Sequence, residues 1–241
     1  MDKIYYINLN RELLRNKYFL SLDIPTERLQ RFEAIDGTTH NFSEEELKLF
    51  KNADYINFPD ETRRKIMGNQ LSHHYILKDM VTNSYNNILI CQDDCLFRKD
   101  WNNYLNLLCD NIPEDAEIIN IGLHITATFK IFTPWDLNSK DGEDEKIMSK
   151  EIVNDYICKL NTKYNPCSLC YIVTLKGAKN IIEYNEKYGF TRATDWHYSD
   201  YLERKNINYI SRKILATTNN IFDSDVWKNT YEKDGVWYAH D

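Results

Sequence analysis

The chain has 241 residues, 42% of them hydrophobic, and its 30 Lys and Arg against 37 Asp and Glu leave a net charge of −7. That length can bury one substantial core, so a single domain over residues 1–241 is expected, and the acidic balance excludes a nucleic acid partner, which needs a basic face. No apolar run approaches the roughly 18 residues of a transmembrane segment; "MDKIYYINLN" lacks the apolar centre of a signal peptide, so a soluble, cytoplasmic protein is expected.

Residues 4–9, "IYYINL", read as an opening strand. A helix follows, with Leu13, Leu14, Tyr18, Phe19 and Leu22 at helical spacing, ended by Pro25. "RLQRFEAIDG" reads as a short strand closing on an Asp-Gly turn, and the charged stretch 43–67 as helical pieces. In "GNQLSHHYILKDMV" a helix starts, with Asn69 or Ser72 as its cap and Tyr75, Ile76, Leu77, Met80 and Val81 on its buried stripe. "NNILICQDD" is the next strand, "WNNYLNLLCDNI" a helix before Pro113, and "AEIINIGL" another strand. The polar stretch 136–151 is a solvated loop or a flap over a pocket. "SLCYIVTLKGAKNIIEYN" is strand then helix, and "NINYISRKILATT" gives short strands. Alternating strands and helices define an α/β domain with a mostly parallel central sheet flanked by helices.

Cysteines stand at 91, 95, 109, 158, 167 and 170. Cys91, Cys109 and Cys158 lie in apolar stretches and serve as small hydrophobes. Cys167 and Cys170 form a C-x-x-C with no second pair at zinc spacing, so reduced thiols are expected.

The chemistry concentrates in "ILICQDDCLF", where a core strand ends on Gln92 and two adjacent carboxylates, Asp93 and Asp94. Two readings compete: a solvated turn, in which Asp is common, or a seat for Mg2+ or Mn2+, which prefer hard oxygen donors. The second gains from position, because ligands of open α/β sheets gather at the carboxyl ends of strands. Asn8 to Arg11 and Asp36-Gly37 stand at other such ends.

"IYYINLNRELLR", "RFEAIDG", "GNQLSHHYILKDM", "ILICQDDCLF", "IPEDAEIINIG" and "SLCYIVTLKGAKNI" occur in this order and together resemble glycosyltransferase family 25 over residues 4 to about 183. That family holds lipopolysaccharide-type glycosyltransferases and the galactosyltransferases that modify collagen hydroxylysine. The resemblance implies a GT-A-like nucleotide-sugar-binding domain, a UDP-sugar donor, a glycan or hydroxylysine-containing acceptor, and Mn2+ (or Mg2+). Carried onto this chain, it sets Asn8 and Arg11 beside the nucleotide with Asp36 and Gly37 in the adjacent loop. Arg15 matches the second arginine of the opening motif. Gly68, Ser72 and His73 match an element facing the donor; Gln92, Asp93 and Asp94 occupy the acidic turn, with Asp94 the first metal ligand and Asp93 the second. Two departures stand out: Gln92 replaces the family's Glu, removing a charge from the cation site, and Asn69 replaces a Cys.

The resemblance also implies inversion at the anomeric carbon, which requires a general base on the acceptor hydroxyl. In "TRATDWHYSDYL" the resemblance points to Asp195, with Trp196 as a sugar-stacking surface; the plainer reading of Asp195 is a helix cap. Asp200 reads as an exposed helical residue and His197 as a surface residue beside aromatics. Ser224 and Asp225 match a late Ser-Asp element; a late His completing a metal shell would be His240, but fold analogy alone suggests it and it is not assigned. Two rivals remain open at this level. A catalytically silent, sugar-binding or scaffolding relative would keep the fold and begin to lose the acidic turn, as Gln92 does. A nucleotidyltransferase would carry a Gly-rich triphosphate loop, and "INLNRELLR" has no glycine.

Overall fold

Strand β1 (Lys3–Asn8) buries every residue after Lys3, which is why its sequence runs apolar without alternation: both faces of the strand are covered. Strand β3 (Asn87–Gln92) does the same through Ile88 to Cys91. Both belong to the computed structural model, which describes residues 1–123, 150–160, 168–218, 230–233 and 236–239.

Strand β2 (Leu29–Glu33), half exposed at the sheet edge, pairs parallel with β1, and β1 pairs parallel with β3. Beyond β3 lies β9 (Cys170–Thr174), antiparallel both to β3 and to β5 (Ile118–Asn120). The sheet continues through β10 (Tyr209–Ser211), β8 (Ile157–Leu160) and β7 (Lys150–Ile152), giving eight strands in the order β2-β1-β3-β9-β5-β10-β8-β7. It is a mixed α/β sheet in which β2, β1 and β3 form a parallel block whose carboxyl ends share one edge. A three-stranded sheet joins β4 (Cys95–Phe97), β11 (Ala216–Thr218) and β6 (Gly122–Leu123), and β12 (Thr230–Lys233) pairs with β13 (Val236–Ala239).

Helix α1 (Leu13–Leu20) corrects the stripe expected from spacing. Its protein-facing side carries Arg15, Tyr18 and Phe19: Phe19 stacks on Tyr6 with ring centroids 4.4 Å apart, and the Tyr18 hydroxyl donates to the Cys95 carbonyl at 3.3 Å. Leu13 and Leu14 therefore turn outward, 71% and 76% exposed. Helix α2 (Glu44–Lys48) starts on a capping box between Ser43 and Glu46. Helix α3 (Asp60–Thr82) also departs from expectation. It starts at Pro59, with Asp60 and Glu61 in the first turn complementing its dipole, so Asn69 and Ser72 are mid-helix residues rather than caps. A 3-10 turn spans Asp54–Asn57, and helices α4 (Trp101–Cys109), α5 (Leu175–Tyr188) and α6 (Thr194–Lys205) complete the described elements. Thr174 caps α5 by accepting from the Gly177 amide at 3.0 Å.

The loop after β2 is drawn onto α3 by two glycines. A Cβ on Gly68 would lie 2.4 Å from the Ile35 carbonyl oxygen and 2.7 Å from the Gly37 nitrogen, and one on Gly37 would collide with the Arg64 carbonyl. Gly68→Ala is therefore expected to push the loop off the helix. Overpacking of this kind costs about 1–3 kcal/mol, against a helix-propensity gain near 1 kcal/mol. A lowered urea midpoint with unchanged slope would register it.

Candidate active site

The carboxyl edge of the parallel block opens into a cleft. Its floor comes from Ile7 and Leu9 of the β1 end and from Gln92, Asp93 and Asp94 after β3; Ala34 to Gly37 form one wall. Helix α3 contributes Lys65, Asn69 and Ser72, whose four- and three-residue spacing places them on one helix face. Glu12 and Arg15 close the side nearest α1.

A guanidinium answers the twin carboxylates. Arg15, only 11% exposed in its side chain, sets Nη1 3.1 Å from Asp93 Oδ1 and 3.9 Å from Asp94 Oδ2. Burial opposes the charge on Arg15, but Asp93 and Asp94 more than offset it and its pKa is raised. Asp93 is further fixed by the Asn8 side chain, whose Nδ2 donates to Oδ2 at 2.7 Å. Asp94 is less well supplied: Oδ1 is buried and accepts no hydrogen bond among the described residues. Burial pushes the Asp94 carboxyl up to about 6; Arg15 pulls it back, and Asp93 raises it further. One positive charge thus faces two negative ones in a desolvated setting, and the surplus resides on Asp94. A divalent cation fits the chemistry of this turn, since two carboxylates stand side by side and one buried carboxylate oxygen lacks a hydrogen-bond partner among the described residues. Asp94 would hold the ion; Asp93 is already committed to Asn8 and Arg15.

Not every residue expected at the donor lies open to it. Asn8 is buried, its Oδ1 accepting from Arg31 Nε at 2.9 Å, so it positions Asp93 from beneath the floor. Ser72 is fully buried, donating to the Gly68 carbonyl at 2.8 Å and accepting from the Ile35 amide at 2.9 Å, which pins the loop to the helix. His73, one residue on, turns away from the cleft lining, and its Nδ1 pairs with the Tyr171 hydroxyl at 2.6 Å. Burial lowers its pKa to about 3, leaving a neutral core imidazole rather than a donor contact. Gly68 acts through its missing side chain, as does Gly37, whose backbone lines the cleft. At the mouth Arg11 forms an ion pair with Asp36, which also accepts from the Thr38 amide at 3.1 Å. Gln92 keeps its amide directed at the Ser168 carbonyl, 3.3 Å away.

Asp195 lies in the first turn of α6, where Oδ1 accepts from the Trp196 amide at 3.0 Å. It does not line the cleft. Its neighbour Thr194 donates to Asn69 Oδ1 at 2.6 Å, tying the start of α6 to the cleft-lining face of α3. Trp196 is 44% exposed, with the Arg192 guanidinium over its ring at 4.6 Å. His197 is not a surface residue. It is buried, with Nε2 2.8 Å from Asn185 Oδ1, and burial lowers its pKa to about 4. Asp200 is half buried, 3.6 Å from Arg192 Nη1. Ser224, Asp225, His240 and residues 136–149 lie outside the described residues.

One contributor escaped the sequence reading: Lys65 lies in the charged stretch 43–67, whereas Arg15 stands in the opening motif. Lys65 could have been found from its i, i+4, i+7 spacing with Asn69 and Ser72.

A mixed α/β sheet flanked by helices, with an acidic turn at the carboxyl edge of its parallel strands, is consistent with a GT-A-like glycosyltransferase domain. The family model described as glycosyltransferase family 25 (LPS biosynthesis protein) matches residues 1–202. The chain belongs to that family and is a glycosyltransferase. No curated protein matches it. No helix among the described residues is long and apolar enough to cross a membrane.

Proposed function

We propose that this enzyme transfers a hexose, galactose or else glucose, from a UDP-sugar to a hydroxyl of a glycan or hydroxylysine-containing acceptor, with inversion. The observation that carries the reading is the buried Asp94 carboxylate, only partly offset by Arg15 and with Oδ1 accepting no hydrogen bond among the described residues, in a cleft that Lys65 also lines. Mn2+ or Mg2+ held at Asp94 would supply the charge neutralisation a departing diphosphate needs. Lys65, held 2.8 Å from Glu61 Oε1 at the cleft wall, offers a point charge to the same diphosphate. The enclosed volume is about 110 Å3, below the several hundred Å3 that take a whole ligand of this class. The diphosphate end takes the enclosed part, and the nucleoside and sugar extend along the open mouth past Arg11 and Asp36. In a single displacement the acceptor oxygen attacks the anomeric carbon, its proton passes to a carboxylate base, and the bond to the diphosphate breaks to release UDP. The base assigned is Asp195, which lies outside the enclosed cleft at the start of α6, where the neighbouring Thr194 is bonded to the cleft-lining Asn69.

Melting the protein against a panel of UDP-sugars, with and without Mn2+, and measuring UDP release with water as acceptor, tests this reading. Saturation at a hundred times the dissociation constant adds about 2.7 kcal/mol, a rise of roughly 5–10 °C for a chain of this size. The rise is expected with UDP-galactose or UDP-glucose and to depend on Mn2+. Asp195→Asn is expected to keep the rise and to lower transfer by roughly 10²- to 10⁴-fold. Absence of both the shift and UDP release across the panel would favour the silent sugar-binding relative.

A further inference from the structure

Behind the acidic turn lies a second cluster that the transfer chemistry does not use. Cys91 is the next-to-last residue of β3, Cys95 opens β4 on the other side of the turn, and Cys170 begins β9. All three are 0% exposed, and their sulfur atoms lie within 4.8 Å of one another. Cys91 and Cys170 face each other directly across the β3–β9 ladder, with Sγ atoms 3.4 Å apart. The Gln92 amide donates to the Leu169 carbonyl at 2.8 Å, so the next pair along, Cys91 and Cys170, occupies a non-hydrogen-bonded site, where opposed side chains approach most closely. Gly122 leaves the flank of Cys170 clear of any side chain: a Cβ there would come within 2.9 Å of the Cys170 Cβ.

We infer that Cys91, Cys95 and Cys170 form a binding site for a single thiophilic d10 metal ion, such as Zn2+ or Cu+. Three thiolates around one ion with metal–sulfur bonds near 2.3 Å hold their sulfurs about 4 Å apart, a spacing these three meet with small rotamer changes. Soft sulfur donors select soft ions over the Mg2+ or Mn2+ that suit the oxygen-rich cleft, so the two sites do not compete for one metal. The Leu169 carbonyl oxygen, 3.3 Å from Cys95 Sγ, stands beside the trio as a harder fourth donor. Binding proceeds with loss of the three thiol protons, and the bound ion ties the two ends of the acidic turn to β9.

The test uses the full chain refolded under a phosphine reductant with Cd2+, then desalted, with bound metal and thiolate-to-cadmium ultraviolet absorption both measured. About one Cd2+ per chain is expected for the native sequence and for Cys109→Ala, whose thiol lies outside the cluster. Cys95→Ala and Cys170→Ala are expected to lose at least tenfold in affinity. Cys95→Ser replaces Cys95→Ala if that variant does not fold. Parallel refolding with Zn2+ and with Cu+ distinguishes the two natural candidates. Folded native protein that takes up no metal overturns the inference, as does undiminished binding in both variants. So does the finding that the purified protein, unfolded without reductant, holds Cys91 and Cys170 as a disulfide that leaves no site. None of these outcomes depends on the donor-binding results above.

Discussion

Asp94→Asn is expected to separate the stability of this protein from its activity. The native carboxyl titrates near 6 against about 3.9 in an unfolded chain. Between those values the folded state holds a proton that the unfolded state has released, so stability declines as pH rises from about 4 through 6. Above that window the buried charge remains as a cost on the order of 3 kcal/mol in metal-free protein. The amide removes the cost and leaves Arg15 paired with Asp93 at 3.1 Å. Metal-free Asp94→Asn should thus melt several degrees higher than the native protein at pH 8 and no higher near pH 4. Hexose transfer should fall about a thousandfold, since a lost metal ligand forfeits several kcal/mol of charge stabilisation. Native-like turnover, or a lower melting temperature at pH 8, would remove Asp94 from the cation site.

Arg15→Met has the largest expected effect on folding. It keeps the aliphatic stem and deletes the guanidinium that faces both carboxylates. Breaking a buried pair by removing one partner costs about 3–5 kcal/mol, because the remaining charge stays desolvated. For a chain of this size that is roughly a 10 °C fall in melting temperature. Without Arg15 the Asp94 carboxyl is driven further up, so the deficit should be larger at pH 8 than at pH 5. Adding Asp93→Asn to Arg15→Met should recover a substantial part of the loss, and Mn2+ should rescue the single variant more than the native protein. A loss below about 1 kcal/mol that is indifferent to pH would mean the pair is solvated and the turn an ordinary exit from the core.

The acidic turn is legible in the sequence because its signals are local. An apolar run that stops on Gln92, Asp93 and Asp94 names both the strand end and the donor set, and Asp36-Gly37 announces a turn in the same way. The failures of the sequence reading are of one kind. Leu13 and Leu14 fit a helical stripe and yet face outward, because Arg15 and Phe19 claim the inner side of α1. His73 sits beside a cleft-lining serine, but a helix turns about 100° per residue, which sends it to Tyr171 instead. Asn69 and Ser72 had the chemistry of caps and lie mid-helix, since capping depends on where the helix begins and Pro59 begins it earlier.

What the sequence determined by itself was the inventory: two-face-buried strands, an acidic turn at a strand end, and six ordered motifs that carry the family. The tertiary structure alone decided which charges meet. Arg15 and Asp93 lie 78 residues apart, and Thr194 reaches Asn69 from 125 residues away. The insertion of β9 between β3 and β5, which brings Cys170 onto Cys91, follows no local pattern either. Propensity and periodicity act over a few residues, whereas the pairing of buried charges and thiols is set by chain crossings whose ends carry no mark of their partners.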